Sequence, residues 1–235
     1  MSSFLAALRD RVLVLDGGFG TWMQAHDLGP DDFGGPDLEG CNENLVATRP
    51  DLIAALHDAY LSTGCDAVET ATFGAFGLVL NEYDIADRAY DLNLAAARIA
   101  KEVATAHSTP DRPRWVVGSI GPGTRLPSLG AITFRALRDD YEVQARGLLD
   151  GGSDVLLIET VYDLLQAKSA MIACSITETC SALSASRTRA VSGSCGPNSS
   201  CVSRNIRWKS SSGRPSISRI TSSGYGSAIS RTKSH

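Results

Sequence analysis

The sequence predicts an α/β fold with parallel strands over residues 1–168, followed by a tail, residues 169–235, that lacks this pattern. Three observations support this prediction. Short apolar runs alternate four times with amphipathic helical segments, the runs stop at glycines or polar residues, and the alternation ends after Lys168. Regular alternation of this kind implies parallel strands joined by helical crossovers.

Four apolar runs are typical of short strands that are buried on both faces. They cover residues 11–15, 66–70, 115–118 and 154–160. The helical segments between and after them are expected at residues 51–62, 85–106 and 134–149, with a further helix beginning near Asp163. Pro50 precedes the first of these helices and Gly64 follows it, as is usual at helix ends.

Polar residues stand where each predicted strand ends, namely Asp16, Glu69, Ser119 and Glu159. The carboxyl ends of parallel strands meet at one edge, so these side chains are expected at one active face. A (β/α)₈ barrel and a doubly wound sheet both place ligands there. A weak internal repeat, Gly-x-Asp followed by a strand ending in Glu-Thr, occurs at residues 64–70 and 152–160.

A glycine-rich loop follows the first predicted strand. Gly17, Gly18 and Gly20 allow backbone amides to approach a small anion such as a carboxylate, and Asp16 can hold an ammonium group. A pocket that offers both would suit an amino acid. The alternative interpretation is a strand-to-helix turn with a solvated aspartate.

The tail differs from the rest of the chain in charge and composition. Residues 1–168 carry a formal charge of −12 and residues 169–235 carry +8. Serine accounts for 20 of the 67 tail residues but only 7 of the first 168. We expect the tail to be disordered, since it lacks the apolar runs needed to offset chain entropy. Its origin stays open between a shifted reading frame after Lys168, a basic arm, and an authentic disordered segment.

Other features exclude some classes of protein. No run approaches the roughly 18 apolar residues of a membrane helix, and no secretory signal is recognisable, so we expect a cytoplasmic protein without a membrane partner. Six scattered cysteines are expected to be free thiols or metal ligands. The tail's basic residues are too dispersed for a dense nucleic-acid patch, which argues against such a partner.

The residues along the first part of the chain resemble the homocysteine S-methyltransferase family. The similarity begins with Asp-Gly-Gly-Phe-Gly-Thr at 16–21 and keeps the family's order and spacing through segments at 40–50, 68–73, 92–97, 118–127 and 156–168. The Gly-Pro-Gly-Thr-x-Leu-Pro and Gly-Cys-Asn-Glu forms look more like the methionine synthase type than the types that use betaine or S-methylmethionine. Ala71 departs from the family, which commonly has asparagine there.

This resemblance implies about four βα units of a partial (β/α)₈ TIM barrel, with residues 1–168 as its N-terminal half. It implies methyl transfer to homocysteine to give methionine. One alternative is a homocysteine S-methyltransferase that uses betaine or S-methylmethionine as the donor. The other is a half-barrel that binds a ligand without catalysis. The substrate-binding residues carried over are Asp16, Gly17, Gly18, Gly20, Thr70, Thr72 and Glu159. Glu69 is a second-rank candidate.

The resemblance also implies cofactors that this chain is not expected to hold by itself. The family's zinc ligands are three cysteines in the second half of the barrel, including an adjacent pair, and no Cys-Cys occurs in this sequence. Methylcobalamin and methyltetrahydrofolate would act through the cobalamin and folate domains of a full-length enzyme. We therefore expect catalysis by this chain to be impaired, and no catalytic residue is identifiable.

Overall fold

The computed structural model describes residues 3–190, with side chains described as far as Thr177. Its centre is a parallel three-stranded sheet in the order β1 (Ala67–Glu69), β2 (Trp115–Ile120), β3 (Val155–Ile158). Ala67 pairs with Trp115, and Val117 pairs with Val155. The predicted α/β fold with parallel strands is therefore confirmed.

The first predicted strand, residues 11–15, is wrong as a full strand. Only a single parallel bridge, Leu15 to Ala67, joins this segment to the sheet. Val12 is 83% exposed and Val14 is 55% exposed, so among the described residues this segment is covered on one face only. The segment nevertheless runs along β1, because the Val14 carbonyl accepts from the N–H groups of Asp66 and Ala67.

Helices surround the sheet, and the predicted helices at 51–62, 85–106 and 134–149 are confirmed with small changes in their ends. The α-helices are α1 (Ser3–Asp10), α2 (Phe19–Gln24), α3 (Pro30–Phe33), α4 (Leu45–Thr48), α5 (Pro50–Thr63), α6 (Gly77–Leu80), α7 (Ala89–His107), α8 (Phe134–Asp150) and α9 (Leu164–Ala190). Short 3₁₀ helices lie at Pro36–Leu38, Asn42–Asn44, Asn81–Tyr83, Ala86–Arg88 and Pro127–Leu129. Gly64 ends α5 in the left-handed region at φ 110°.

Both faces of the sheet are covered. On one face α1 packs its Phe4 edge-on against Trp115, with ring centroids 5.8 Å apart, beside Leu13 and Val117. On the other face Val116 and its strand neighbours pack against α5 and α7. This alternation follows from the period of two along a strand. It leaves the carboxyl ends of the strands free to carry polar side chains.

The amino ends of the strands are joined by the aspartates of the internal repeat. Asp66 Oδ2 accepts from the Val14 N–H at 2.9 Å, and Asp154 Oδ2 accepts from the Val116 N–H at 2.8 Å. Each aspartate also binds a cation, Arg11 for Asp66 and Lys101 for Asp154. The repeated Gly-x-Asp therefore links each strand to the one before it.

The predicted boundary at residue 168 falls inside α9, which continues to Ala190. Ala170 and Ala173 are fully buried and belong to the core around Tyr141 of α8. The prediction of disorder from Ser169 is therefore wrong for residues 169–190, because small side chains at helical spacing let α9 pack closely on α8. Residues 191–235, which hold most of the predicted tail, lie outside the described residues.

Candidate active site

A cavity of about 430 Å³ opens at the carboxyl ends of the strands. Its walls come from the loop after the first strand segment, the ends of all three strands, and two flanking segments. The lining residues are Asp16, Gly17, Gly18, Phe19, Gly20, Asn42, Glu43, Leu56, Glu69, Thr70, Ala71, Phe73, Ser119 and Glu159. Six of the seven predicted substrate-binding residues thus meet in one cavity, and their role in binding stays a prediction.

Asp16 lines this cavity and bridges to the neighbouring strand. Both of its carboxylate oxygens accept from the Glu69 N–H, at 3.0 and 3.1 Å. Burial raises the pKa of Asp16 to about 7, outweighing the effect of this hydrogen bond, which lowers it. No lysine or arginine is among the described residues that line the cavity, so Asp16 faces no compensating cation there.

Glu69 and Glu159 form a second acidic feature of the cavity. Burial, together with the charge of the adjacent Glu159 carboxyl and a hydrogen bond with it, raises the pKa of Glu69 to about 7. The Ser119 hydroxyl donates to Glu159 Oε1, which fixes that carboxyl at the end of β3. A bound cation would lower the pKa of Glu69, because it favours the charged carboxylate.

The glycine loop brings backbone rather than side chains to the cavity wall. A Cβ atom at Gly17 would lie 2.8 Å from the Tyr60 hydroxyl, so a larger residue would displace the Tyr60 ring. Gly18 precedes the first turn of α2. Main-chain groups of this loop therefore border the cavity, and their contact with a ligand stays a prediction.

Thr70 and Thr72 differ in their access to the cavity. Thr70 lines it, whereas Thr72 is fully buried and lies outside the lining. The Thr72 hydroxyl donates to the Ser119 carbonyl at 2.8 Å and contacts the Thr70 hydroxyl at 2.6 Å. Thr72 thus lies behind the lining, and its role in substrate binding stays a prediction. Its hydroxyl instead ties the ends of β1 and β2 together.

Sequence reasoning missed several lining residues. Asn42 and Glu43 belong to a 3₁₀ helix. They do not follow a strand, so the search for polar residues at strand ends could not find them. Glu43 Oε1 accepts from the Gly74 N–H at 2.9 Å, which holds the loop after β1 against this segment. The Gly-Cys-Asn-Glu motif, which resembles the family, is the feature of the sequence that could have indicated these two residues. Ala71, where the family commonly has asparagine, also lines the cavity.

The zinc implied by the resemblance does not fit the described residues. No group of three or more histidine, cysteine or acidic side chains with metal-binding geometry occurs among them. Cys41 is buried in an apolar cluster beside Leu80, and the Cys65 thiol donates to the Leu15 carbonyl. These two thiols therefore lie in separate parts of the fold. Cys195 and Cys201 lie outside the described residues.

The family pattern described as homocysteine S-methyltransferase matches residues 13–205. The chain belongs to the homocysteine S-methyltransferase family. It is 50% identical over 171 residues to a methionine synthase of Mycobacterium tuberculosis (strain ATCC 25618 / H37Rv) and 48% identical over 171 residues to one of Mycobacterium leprae (strain TN), in each case over 73% of this chain. The chain spans 14% of the length of these two relatives.

Solved structures with the same fold include the homocysteine methyltransferase MmuM from Escherichia coli. Its oxidised form aligns with a TM-score of 0.57 at 21% identity, covering 70% of this chain and 59% of that one. Its metallated form aligns with the same score at 20% identity and the same coverage. At these identities the likeness supports the fold alone. Among residues 3–190 no helix has the length and apolar character to cross a bilayer.

Proposed function

We propose that this chain is the N-terminal half of a (β/α)₈ barrel that binds L-homocysteine for methyl transfer to give methionine in the cytoplasm. One observation carries the proposal: Asp16, Glu69 and Glu159 line a single cavity that has no basic residue in its described lining. Family membership supports homocysteine as the ligand, and the methionine synthase relatives support a reaction of the methionine synthase type. The Gly-Pro-Gly-Thr-x-Leu-Pro and Gly-Cys-Asn-Glu forms are our reason for proposing a cobalamin donor over betaine or S-methylmethionine.

In this proposal the amino-acid end of the substrate occupies the cavity. Asp16 and Glu159 receive the ammonium group, and Glu69 adds a third carboxyl to their surroundings. The backbone around Gly17, Gly18 and Gly20 receives the carboxylate, while Thr70 completes the wall near β1. Charge-assisted contacts of this type in a partly buried site are stronger than neutral hydrogen bonds.

We assign substrate binding, and no methyl-transfer step, to the described residues. They contain no set of thiols that fits zinc, and thiol activation in the family depends on that metal. Methylcobalamin and methyltetrahydrofolate would be supplied by further domains of a full-length enzyme. The chain of 235 residues is therefore expected to bind homocysteine while turning it over poorly.

Isothermal titration of the full chain with reduced L-homocysteine tests this assignment. We expect Asp16→Asn and Glu159→Gln each to weaken binding about 10- to 100-fold, since each removes a charged partner worth about 1.5–3 kcal/mol. Asp58→Asn is the matched control, because the Asp58 side chain is 64% exposed on α5 and lies outside the cavity lining.

A ligand analogue sharpens the same test. 4-Mercaptobutanoate keeps the thiol and the carboxylate of homocysteine but lacks the ammonium group. It should bind the wild-type chain far more weakly than homocysteine and should lose little further affinity in Asp16→Asn. Equal binding of the two compounds, or unchanged affinity in both acidic-site variants, would overturn the proposal.

A further inference from the structure

Two threonine hydroxyls continue the hydrogen bonding between β1 and β2 past the end of β1. The last bond between the two backbones is the one that the Thr70 N–H donates to the Val117 carbonyl, at 2.9 Å. Two residues further along β2, the Ser119 N–H donates to the Thr70 hydroxyl at 3.0 Å, and the Ser119 carbonyl accepts from the Thr72 hydroxyl at 2.8 Å. Side chains thus replace a backbone partner at Ser119, which lines the cavity together with Thr70.

The direction of the bond between the two threonine hydroxyls follows from counting protons. A hydroxyl carries one proton, and a carbonyl can only accept. The Thr72 proton is committed to the Ser119 carbonyl, so the 2.6 Å contact between the hydroxyls is a bond that Thr70 donates. The reverse direction would leave that carbonyl with the Gln144 amide, 3.5 Å away, as its side-chain donor. Such a loss in a buried site costs about 1–3 kcal/mol, which fixes the Thr70 proton on Thr72.

The hydroxyl proton of Ser119 is committed as well. It is donated to Glu159 Oε1 at the end of β3. A charged carboxylate can only accept, so this proton stays in that bond whenever Glu159 is ionised. Thr70 and Ser119 therefore border the cavity with hydroxyl oxygens that can accept from a ligand but have no proton to donate to it. Asp16 and Glu69 add further acceptors when they are ionised.

Gln144 of α8 supports these hydroxyls from outside the cavity. Its side chain is fully buried, and its Nε2 donates to the Thr72 carbonyl at 2.7 Å. This bond holds the backbone of Thr72 in place, which keeps the Thr72 hydroxyl within reach of the Ser119 carbonyl. Thr72 is itself fully buried and lies outside the cavity lining. Any influence of Thr72 on a ligand therefore acts through Thr70 and Ser119.

We propose that Thr72 is a positioning residue that makes the wall between β1 and β2 selective for a hydrogen-bond donor, here the ammonium group of the substrate. Because Thr72 accepts the only proton of the Thr70 hydroxyl, Thr70 can accept from an ammonium group but cannot donate to a carboxylate. The amino acid is thus held in one orientation, with its ammonium group at the strand ends and its carboxylate at the glycine loop. The inference rests on the proposed function, which supplies the ammonium ligand.

Calorimetric titration of the full chain with L-homocysteine and with 4-mercaptobutanoate tests the inference. Thr72→Val keeps the shape of the side chain but frees the Thr70 proton. It should weaken homocysteine binding about 10-fold and leave 4-mercaptobutanoate binding within about twofold of the wild type. Thr72→Ser keeps the hydroxyl and should bind both compounds as the wild type does. Thr177→Val is the matched control, because the buried Thr177 hydroxyl donates to the Ala173 carbonyl at 2.9 Å within α9, outside the cavity lining.

Thr70→Val is a second variant, which keeps the inference testable if urea unfolding shows that Thr72→Val does not fold. It removes the accepting oxygen itself and should cause the same selective loss of homocysteine affinity. Where both variants fold, combining them should cost no more than Thr70→Val alone, because Thr72 acts through Thr70. Unchanged homocysteine affinity, or an equal loss for both compounds, would overturn the inference alone. Failure of the wild-type chain to bind homocysteine would overturn the proposed function, and this inference with it.

Discussion

The two ends of the sheet place carboxylates in opposite surroundings. At the amino end, Asp66 and Asp154 accept from backbone N–H groups and contact Arg11 and Lys101. The hydrogen bond from Arg11 holds the pKa of Asp66 below its usual value. At the carboxyl end, burial raises the pKa of Asp16 and of Glu69 to about 7, with no basic residue among the described lining.

Asp66 and Asp154 stabilise the fold, whereas Asp16 and Glu69 belong to the site that we propose binds a ligand. Each repeated segment, at 64–70 and 152–160, has an aspartate before its strand and a glutamate at the end of that strand. The aspartate is paired with a cation, and the glutamate lines the cavity. Paired carboxylates lower the free energy of the folded state, whereas buried and unpaired ones raise it until a cation arrives. Barrels of this type commonly divide stability and activity between their two ends in the same way.

The largest expected effect is at the amino end. Asp66→Ala should lower the free energy of unfolding by about 2–4 kcal/mol, because it leaves the buried Arg114 and the Val14 N–H without this carboxylate. The half-exposed Arg11 keeps the loss below that of a fully buried pair. Urea unfolding measures the change, and Asp58→Ala should cost less than about 1 kcal/mol, since it loses only an exposed contact with His107. If the two variants lost the same free energy of unfolding, the buried ion pair of Asp66 would not be a special source of stability.

The next effect is the pH dependence of binding at the carboxyl end. An ammonium ligand requires the charged forms of Asp16 and Glu69, whose pKa values are raised to about 7. Homocysteine affinity should therefore fall about 10- to 100-fold between pH 8 and pH 6. Titrations at several pH values measure the slope, and Asp16→Asn should flatten it. A profile flat across this range in the wild type would contradict the raised pKa values.

A smaller effect is a gain in stability when the site is neutralised. The folded-state pKa of Asp16 lies above its unfolded value of 3.8, so the wild type loses stability as the pH rises from about 4 to 7. Asp16→Asn should thus be more stable than the wild type by roughly 1 kcal/mol at pH 8. The difference should shrink as the pH approaches 4, and thermal unfolding at both pH values reports it. A variant that is less stable than the wild type at pH 8 would show that Asp16 serves mainly to stabilise the fold.

The smallest effect is at the exposed cation of the amino end. Lys101 is 40% exposed, and Asp154 keeps its hydrogen bond to the Val116 N–H without it. Lys101→Met should therefore cost less than about 1 kcal/mol, and the cost should fall in high salt. Urea unfolding at two ionic strengths measures both. If Lys101→Met cost as much as Asp66→Ala, the burial of the two ion pairs would not determine how much each stabilises the fold.

Much of this arrangement could be predicted from local pattern. Asp16 and Glu159 were predicted to share a cavity because parallel strand ends converge, and the helices followed apolar periodicity. The first strand was overestimated because an apolar run does not reveal whether both of its edges find partners. Asn42 and Glu43 line the cavity because of tertiary packing, which the periodicity of a strand or a helix does not predict.

The continuation of α9 beyond Lys168 was missed for a different reason. Serine content and charge were averaged over the whole tail, and this average hides the short stretch at its beginning. In that stretch Ala170 and Ala173 lie on the buried face of a helix. The hydroxyls of Ser169 and Thr177 donate to the carbonyls of Gln166 and Ala173 within the same helix. Such local bonds satisfy buried hydroxyls, so these residues do not end the helix as their composition suggested.

The most direct test of the carboxyl-end site is a proton count on ligand binding. Calorimetric titration of the full chain with L-homocysteine at pH 7, in two buffers of different ionisation enthalpy, measures the protons exchanged. The account predicts saturable binding that releases about one proton, since a bound ammonium drives Asp16 and Glu69 to their charged forms. Proton uptake, no proton exchange, or no binding would contradict it.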